Sequence, residues 1–311
     1  MITIIGAGII GLSTAICLQK AGFRVEIITQ AMPLQTTSAK AGAIWLPFKV
    51  EPLAIANAWS LMTYHFYQKE IVAQTPGISM QNLVFLNGNP ELPDWATALP
   101  AHALTVANAN DLPPGCTHGW IAKVPFIDPT IYLQYLLNSF LQNGGTLKEK
   151  KVQSLSELKG GMYINCTGLG AKALTGDKEL YPIRGQLVKV EKVEGVGYWV
   201  DEVDENAIAY IFPRKDGIIL GGTTEPHATD LTADAHTTQR ILTQCKGLVP
   251  ALKDATVLDA YAALRPARTA MRLEWDANLP ILHHYGHGGA GFTLCWGAAQ
   301  AATKLVLAAI D

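Results

Sequence analysis

The 311-residue sequence predicts an α/β fold, and three features carry that expectation. The chain opens with a β-type run that enters a glycine-rich turn and then a helix. Its third quarter alternates apolar and polar residues, as half-buried strands do. Its last quarter holds a second glycine cluster ahead of a long apolar helix. Strands at both chain ends around an irregular middle imply one domain interrupted by another. Composition agrees with a packed core, because 49% hydrophobic and 16% charged residues exclude a disordered chain. Lys+Arg 24 against Asp+Glu 26 gives a net charge of −2, which supplies no basic face for nucleic acid. No apolar run reaches the roughly 18–20 residues of a membrane span, so no membrane partner is expected.

Residues 1–5 read as a strand, followed by Gly6-Ala7-Gly8-Ile9-Ile10-Gly11. Residues 12–21 read as a helix stopped by Gly22, and 23–28 as a β-branched second strand, which completes a βαβ unit. Helical spacing runs over 54–73, and a Pro/Gly/Asn-rich stretch over 75–114 reads as loops with short strands. Asp128-Pro129 opens a helix through Phe140, with Asp as N-cap and Pro in the first turn. A strand over 162–166 ends in Thr167-Gly168. Alternating strands follow over 187–220, with Asp216-Gly217 as a turn, then a helix over 233–245. A glycine-rich loop over 286–291 leads into a final helix from about 297 to 310.

The cysteines Cys17, Cys116, Cys166, Cys245 and Cys295 are odd in number, scattered and without a CxxC pair. That pattern points away from a disulfide framework or a zinc site and toward buried thiols in a reducing compartment. The N-terminus lacks the basic run of a signal peptide, and Leu307-Ala308-Ala309-Ile310-Asp311 carries no retention tripeptide. A cytoplasmic location is the expectation.

Gly6-x-Gly8-x-x-Gly11 lies between a strand and a helix, the context that gives the pattern meaning. The first glycine permits a tight turn, the second lets backbone approach a pyrophosphate, and the third lets helix and strand pack closely. N–H groups at the helix start then favour phosphate charge. The expected fold is thus a Rossmann-like domain. The acid that holds a ribose about 20 residues further on is replaced by Thr29 and Gln30, with Glu26 too early in the strand. A threonine hydroxyl is a weaker, neutral partner there. The motif alone leaves NAD and FAD open. The second cluster, from His283 through Gly286-His287-Gly288-Gly289-Ala290-Gly291 to Thr293, favours FAD. Glycines without Cβ let backbone lie flat against a planar ring, and the helix start beyond can stabilise charge on a reduced flavin. Three histidines in this cluster suggest metal ligation, but the intervening glycines and lack of a nearby carboxylate argue for none.

These blocks, together with Thr36-Thr37-Ser38-Ala39-Lys40-Ala41-Gly42-Ala43-Ile44-Trp45, Asn165-Cys166-Thr167-Gly168, Arg184-Gly185-Gln186 and Arg265-Pro266-Ala267-Arg268, resemble the D-amino-acid oxidase family. The matches extend from residue 4 to residue 304 in the family's order, and the block from Tyr285 to Thr293, followed by Trp296-Gly297, is the most specific. The resemblance implies an FAD-binding domain over 1–50, 127–181 and 262–311. A mixed β-sheet substrate domain would take 51–126 and 182–261. Gly6, Ala7, Gly8, Ile9, Ile10 and Gly11 would then lie along the FAD pyrophosphate, with Thr29 and Gln30 near the ribose. Thr36, Thr37, Ala41, Gly42 and Ala43 would line the path to the flavin. Val152 would meet the adenine through its backbone, and Thr167 would sit beside the cofactor. Gly288, Gly289, Ala290, Gly291, Phe292 and Thr293 would face the flavin, with Thr293 at its carbonyl edge.

For substrate, the resemblance matches Arg268 to the carboxylate-binding arginine and Tyr210 to a tyrosine on the same carboxylate. The Gly289 carbonyl would accept the amine. Asn206 stands where the family often has a second tyrosine, in a lid segment shorter than that of animal relatives. Thr224 replaces the arginine that follows Gly-Gly-Thr in the acidic-substrate branch, which argues against D-aspartate. The expected activity is oxidation of neutral, or secondarily basic, D-amino acids by hydride transfer to flavin N5. Products would be 2-oxo acid, ammonia and hydrogen peroxide, with dioxygen as acceptor and no side-chain acid or base. The acidic residues Asp201, Glu202, Asp204 and Glu205 read as a solvated loop, with attraction of basic substrates as the alternative. Competing readings are a glycine or sarcosine oxidase, a quinone-linked dehydrogenase, or a non-catalytic FAD-binding protein. A homo-oligomer is compatible with all of them.

Overall fold

The computed structural model describes residues 1–48, 50–113, 115–204 and 207–310. The chain divides into two compact units, one of Met1–Ser79, Ile127–Pro182 and Arg265–Asp311, the other of Met80–Phe126 and Ile183–Leu264. The path begins β1 (Ile2–Ile5), α1 (Ile9–Lys20), β2 (Val25–Thr29) and α2 (Leu53–Val72). It continues through β3 (Ile78–Leu86), β4 (Leu104–Val106) and β5 (Trp120–Ile127) into the second unit. It returns with α3 (Pro129–Gln142), β6 (Thr146–Glu149), β7 (Met162–Asn165) and α4 (Ala171–Thr175). Strands β8 (Tyr181–Val190), β9 (Tyr198–Asp201), β10 (Ala209–Arg214), β11 (Gly217–Gly221) and β12 (Glu225–Pro226) follow, with α5 (Ala235–Leu248). The end is β13 (Val257–Trp275), β14 (Ile281–His287) and α6 (Gly291–Ala308).

The first unit is built on a parallel sheet in the order β14-β7-β1-β2-β6. Ile2, Ile4, Val25, Ile27 and Ile164 are buried on it, the continuous apolar run expected of strands covered on both faces. Helix α3 starts as the sequence predicts, with the Asp128 carboxylate accepting from the N–H groups of Thr130 and Ile131. Gly22, at φ 89°, follows the end of α1 in the left-handed region.

Residues 51–79 were expected in the substrate domain, yet they cluster with the first unit. The cause is helix packing. A Cβ on Gly297 of α6 would lie 2.5 Å from Trp59 Cα of α2, so only glycine permits this approach. Gly297 N donates to Thr63 Oγ1 at 3.0 Å, and Tyr67 OH donates to the Phe292 carbonyl at 2.8 Å. A helix so bound to α6 follows α6.

The second unit carries a sheet in the order β4-β5-β3-β9-β10-β11-β8, mostly antiparallel, with β3 and β9 parallel. Its core joins Val188, Ile211, Ile218 and Leu220 of the strands to Ile241, Leu242, Cys245 and Leu248 of α5. The nine-residue β3 lies in the stretch read as loops with short strands. Only Leu83, Phe85 and Leu86 of its side chains and the intermediate Val84 carry apolar bulk into the core, too short a pattern to identify the strand. Among the described residues, no helix is long and apolar enough to cross a membrane. All five cysteines are free thiols.

Candidate functional site

The turn after β1 behaves as its glycines require. Gly6 sits at φ 108°, and a Cβ there would lie 2.5 Å from the Cys166 carbonyl oxygen. A Cβ on Gly11 would run into the Gly6 carbonyl oxygen, so helix α1 can approach β1 only without one. A Cβ on Gly8 would be 3.1 Å from Ser38 Oγ, and that hydroxyl accepts a hydrogen bond from Ile9 N at 3.0 Å. Ser38 therefore stands at the N-terminus of α1. Sequence reasoning singled out Thr36 and Thr37 but passed over this neighbour. Ala7 is fully buried, and Ile9 and Ile10 begin the helix.

Thr29 departs from its expected role. Its hydroxyl donates to the Ala31 carbonyl at 2.8 Å within the turn after β2, and the residue is buried. Gln30 is exposed beside it. Thr36 Oγ1 donates to the Pro33 carbonyl at 2.7 Å, whereas Thr37 is exposed. In Ala41-Gly42-Ala43, it is Ala43 that takes a left-handed φ of 55°, and its carbonyl accepts from Ile127 N at 2.9 Å. Val152 is buried and lines a cleft of about 370 Å³ with Thr3, Glu26, Ile28 and Tyr163.

The C-terminal cluster is a strand and turn rather than a long loop. His283, His284 and Tyr285 belong to β14, and α6 begins at Gly291, six residues earlier than expected. Glycine density hid the first turn and a half, because Gly291 and Gly297 both lower helix propensity there. Gly288 has φ 54° and donates from its N–H to the Pro266 carbonyl at 2.9 Å. Ala290 N returns to the His287 carbonyl at 3.0 Å. The N–H groups of Gly291, Phe292 and Thr293 precede the first bond within the helix, from Leu294 to Ala290. Thr293 Oγ1 donates to the Leu46 carbonyl at 3.0 Å and accepts from Leu46 N at 3.1 Å. Its single O–H is thus committed to the protein, and only its backbone N–H remains in the expected role.

Thr167 is tied into the same unit through a chain of hydrogen bonds. Its hydroxyl donates to Asn165 Oδ1 at 2.7 Å, Asn165 Nδ2 lies 3.3 Å from His283 Nδ1, and His283 Nε2 lies 3.1 Å from Asp276. Donation by the amide to Nδ1 places the His283 proton on Nε2, facing the carboxylate. Burial lowers the pKa of His283 against the raising influence of Asp276. His284 and His287 are buried with rings 5.0 Å apart, and neither Nε2 has a protein partner. Burial alone pulls His287 down to about 4 and, with His287 beside it, His284 well below its ordinary value. No metal-binding group of side chains is present among the described residues.

The two arginines of Arg265-Pro266-Ala267-Arg268 have different neighbours. Arg268 Nε donates to Asp177 Oδ2 at 2.8 Å, its NH1 donates to the Ala270 carbonyl at 2.8 Å, and NH2 lies 3.4 Å from Glu179. That guanidinium is committed to the protein, which does not suit the carboxylate role expected of it. Arg265 instead packs at the glycine loop. A Cβ on Gly289 would be 3.4 Å from Arg265 Cδ and 2.7 Å from Phe48 Cδ1, and the Arg265 guanidinium lies 5.7 Å from the Phe48 ring centre. Successive strand residues alternate in direction, so positions three apart face oppositely. The two side chains of this one motif accordingly meet different surroundings.

In the second unit, Tyr210 lies flat over Gly221 and Gly222, where any Cβ would strike its ring, and stacks on Phe212 at 4.7 Å. Asn206 and Glu205 lie outside the described residues. Thr223 Oγ1 accepts from Gln186 N at 2.8 Å, and Thr224 beyond it is half-buried. Arg184 and Gln186 form a structural clamp, with Arg184 reaching Glu225 and the carbonyls of Asp230 and Thr232.

A family profile described as FAD dependent oxidoreductase, DAO, matches residues 1–305. The chain belongs to the DAO family of FAD-dependent oxidoreductases. It is 37% identical to a D-amino-acid oxidase of Streptomyces coelicolor over 98% of this chain and 96% of that protein. It is 35% identical to a D-amino-acid oxidase of Rubrobacter xylanophilus, covering 99% and 96%. Among solved structures, glycine oxidase from Bacillus cereus superposes with a TM-score of 0.82 at 18% identity, covering 100% of this chain and 95% of that one. That likeness is one of fold.

The residues fit the FAD of this family. Gly6 at its positive φ, the Gly8 cradle closed by Ser38 Oγ, and the start of α1 form a place for a diphosphate. The turn from Gly288 to Gly291 and the first N–H groups of α6 form a flat, donor-rich edge for a ring. Both lie in the first unit.

Proposed function

We propose that this protein oxidises D-amino acids with neutral side chains to 2-oxo acids and ammonia, with dioxygen as acceptor and hydrogen peroxide as product. The observation that carries the reading is the convergence of Arg265, Phe48 and Gly289 beside the glycine turn. We assign the substrate carboxylate to Arg265, where a planar guanidinium can make two parallel hydrogen bonds. The Gly289 carbonyl is assigned to the amine. Tyr210, in the second unit, is proposed as a substrate-binding residue, and its flat seat on Gly221 and Gly222 supports a fixed hydroxyl position. Gly6, Ala7, Gly8, Ile9 and Ile10, joined by Ser38, would hold the FAD diphosphate, with Val152 toward the adenine. Thr167 and the N–H groups of Gly291, Phe292 and Thr293 would meet the flavin. Bound FAD supplies the two-electron acceptor for the α-hydrogen of the substrate.

The chain's own part is to bind, aim and exclude water. Fixing the carboxylate and amine leaves the α-carbon one orientation, which is how a site without an acid or base accelerates transfer. The buried, neutral His284 and His287 keep positive charge out of the core behind the loop. Thr224, where the acidic-substrate branch has arginine, supports the preference for neutral side chains. Five free thiols support a reducing compartment, and we place the protein in the cytoplasm. The test is peroxide release from a panel of D- and L-amino acids, glycine and sarcosine with FAD present. Peroxide from D-enantiomers is the expected result. Release from glycine or sarcosine alone, or none from a flavin-loaded protein, rejects the assignment.

A further inference from the structure

Behind the glycine turn, four polar side chains of the first unit converge without touching the proposed substrate residues. Asp177, whose side chain is 5% exposed, accepts from Arg268 Nε at 2.8 Å and from Tyr285 OH at 2.9 Å. Arg272 NH1 donates to the same Tyr285 oxygen at 2.6 Å and lies 3.9 Å from Asp177. Glu179 N donates to Asp177 Oδ1 at 2.9 Å, so the carboxylate is fixed to backbone as well. The position of the two arginines along β13 gives the cluster its meaning. The pairing of β13 with β14 shifts register between Ala267 and Arg272, a bulge. Arg268 stands at the start of that irregular stretch and Arg272 at its end. Irregularities of this kind re-aim the side chains of the strand that carries them, and this strand leads back to Arg265. Gly286 shares the constraint, because a Cβ there would be 2.9 Å from Arg268 Cβ.

We propose that Asp177, Arg268, Arg272 and Tyr285 are positioning residues that staple the β13 bulge and so aim Arg265 at the substrate carboxylate. This rests on the assignment of Arg265 made above. The staple joins both ends of that stretch to one carboxylate, so loosening it frees a length of strand that begins two residues from Arg265 and runs on to Arg272. Ionisation of Asp177 is favoured, because its bonds to Arg268, Tyr285 and the Glu179 N–H outweigh its burial.

The test is a double-mutant cycle in the FAD-loaded enzyme, read as the slope of rate against D-alanine below saturation, per bound flavin. Asp177→Asn in the wild-type background is expected to lower the slope about tenfold, about 1.4 kcal/mol, through KM with kcat within about twofold. In an Arg265→Ala background the same change is expected to lower it less than twofold. Pyruvate, titrated through the bound flavin's absorption, should bind Asp177→Asn about tenfold more weakly. Equal losses in both backgrounds, or none in the wild type, overturn the proposal, since a general structural defect does not depend on Arg265. If Arg265→Ala itself leaves the slope unchanged, the carboxylate assignment fails and the staple's purpose with it. Should Asp177→Asn not fold, Tyr285→Phe and Arg268→Lys run the same cycle, with Arg268→Lys expected to retain most of the slope.

Discussion

Arg265 and Arg268 carry the same guanidinium three positions apart, and their neighbours decide what each can do. Arg268 is bound to Asp177 and to the Ala270 carbonyl, while Arg265 packs on Phe48 beside Gly289. Arg265→Ala is expected to lower kcat/KM for D-alanine by a factor of about thirty to several thousand, equivalent to ~2–5 kcal/mol. Steady-state rates measure this, and activity near wild type would remove Arg265 from the site. The pair also shows what the sequence held. Resemblance located the motif, but the neighbours that tell its two arginines apart, Asp177 and Phe48, are distant in sequence. Ser38 was unreadable for a different reason, because its bond to Ile9 N joins residues 29 positions apart. His287 adds a pH effect. Its native pKa, drawn down to about 4 from 6.5, means the unfolded chain binds a proton that the native state refuses. Its contribution is full above pH 6.5 and declines as pH falls toward 4, by ~3 kcal/mol at the lower end. Urea midpoints at pH 7, 5.5 and 4 should follow that decline, and His287→Gln should flatten it.

Elements were legible where their start and stop signals are local. The first βαβ unit, α2, α3 and α5 fall within a few residues of their expected spans, because caps and glycine stops act on adjacent backbone. The start of α6 and the length of β3 were not legible. Glycines mask one, and the other is held in its sheet by strands distant in sequence. Close approach of elements gives two expected losses. Gly11→Ala would force α1 off β1 at the Gly6 carbonyl, and Gly297→Ala would push α6 from Trp59 of α2. Each is expected to cost ~1–3 kcal/mol. Thermal unfolding measures both. Unchanged melting in Gly297→Ala would mean that α2 and α6 part readily.

At the scale of the molecule, the first unit draws on three separate stretches of chain, and both proposed ends of the cofactor site belong to it. FAD should therefore raise the stability of that unit as a whole. At free FAD one hundred times its dissociation constant the gain is about 2.7 kcal/mol, or roughly 5–10 °C in Tm. Differential scanning calorimetry with and without FAD measures it, and superimposable curves would count against binding within that unit. The interleaving was inferred from strands at both chain ends, but the allegiance of residues 51–79 was not. It depends on helix-to-helix contacts with Gly297, Phe292 and Thr63 that no local pattern records.

The same division of the site between chain ends sets an order of events during synthesis. The Gly6 to Gly11 turn emerges from the ribosome 282 residues ahead of the first glycine of its counterpart at Gly288 to Thr293. At about 5–20 residues per second the interval is on the order of tens of seconds. Through that time the nascent chain holds only the phosphate half of its cradle. Flavin capture in this way waits on the second half of the cradle. A message truncated before β14 would yield a polypeptide that never acquires its colour.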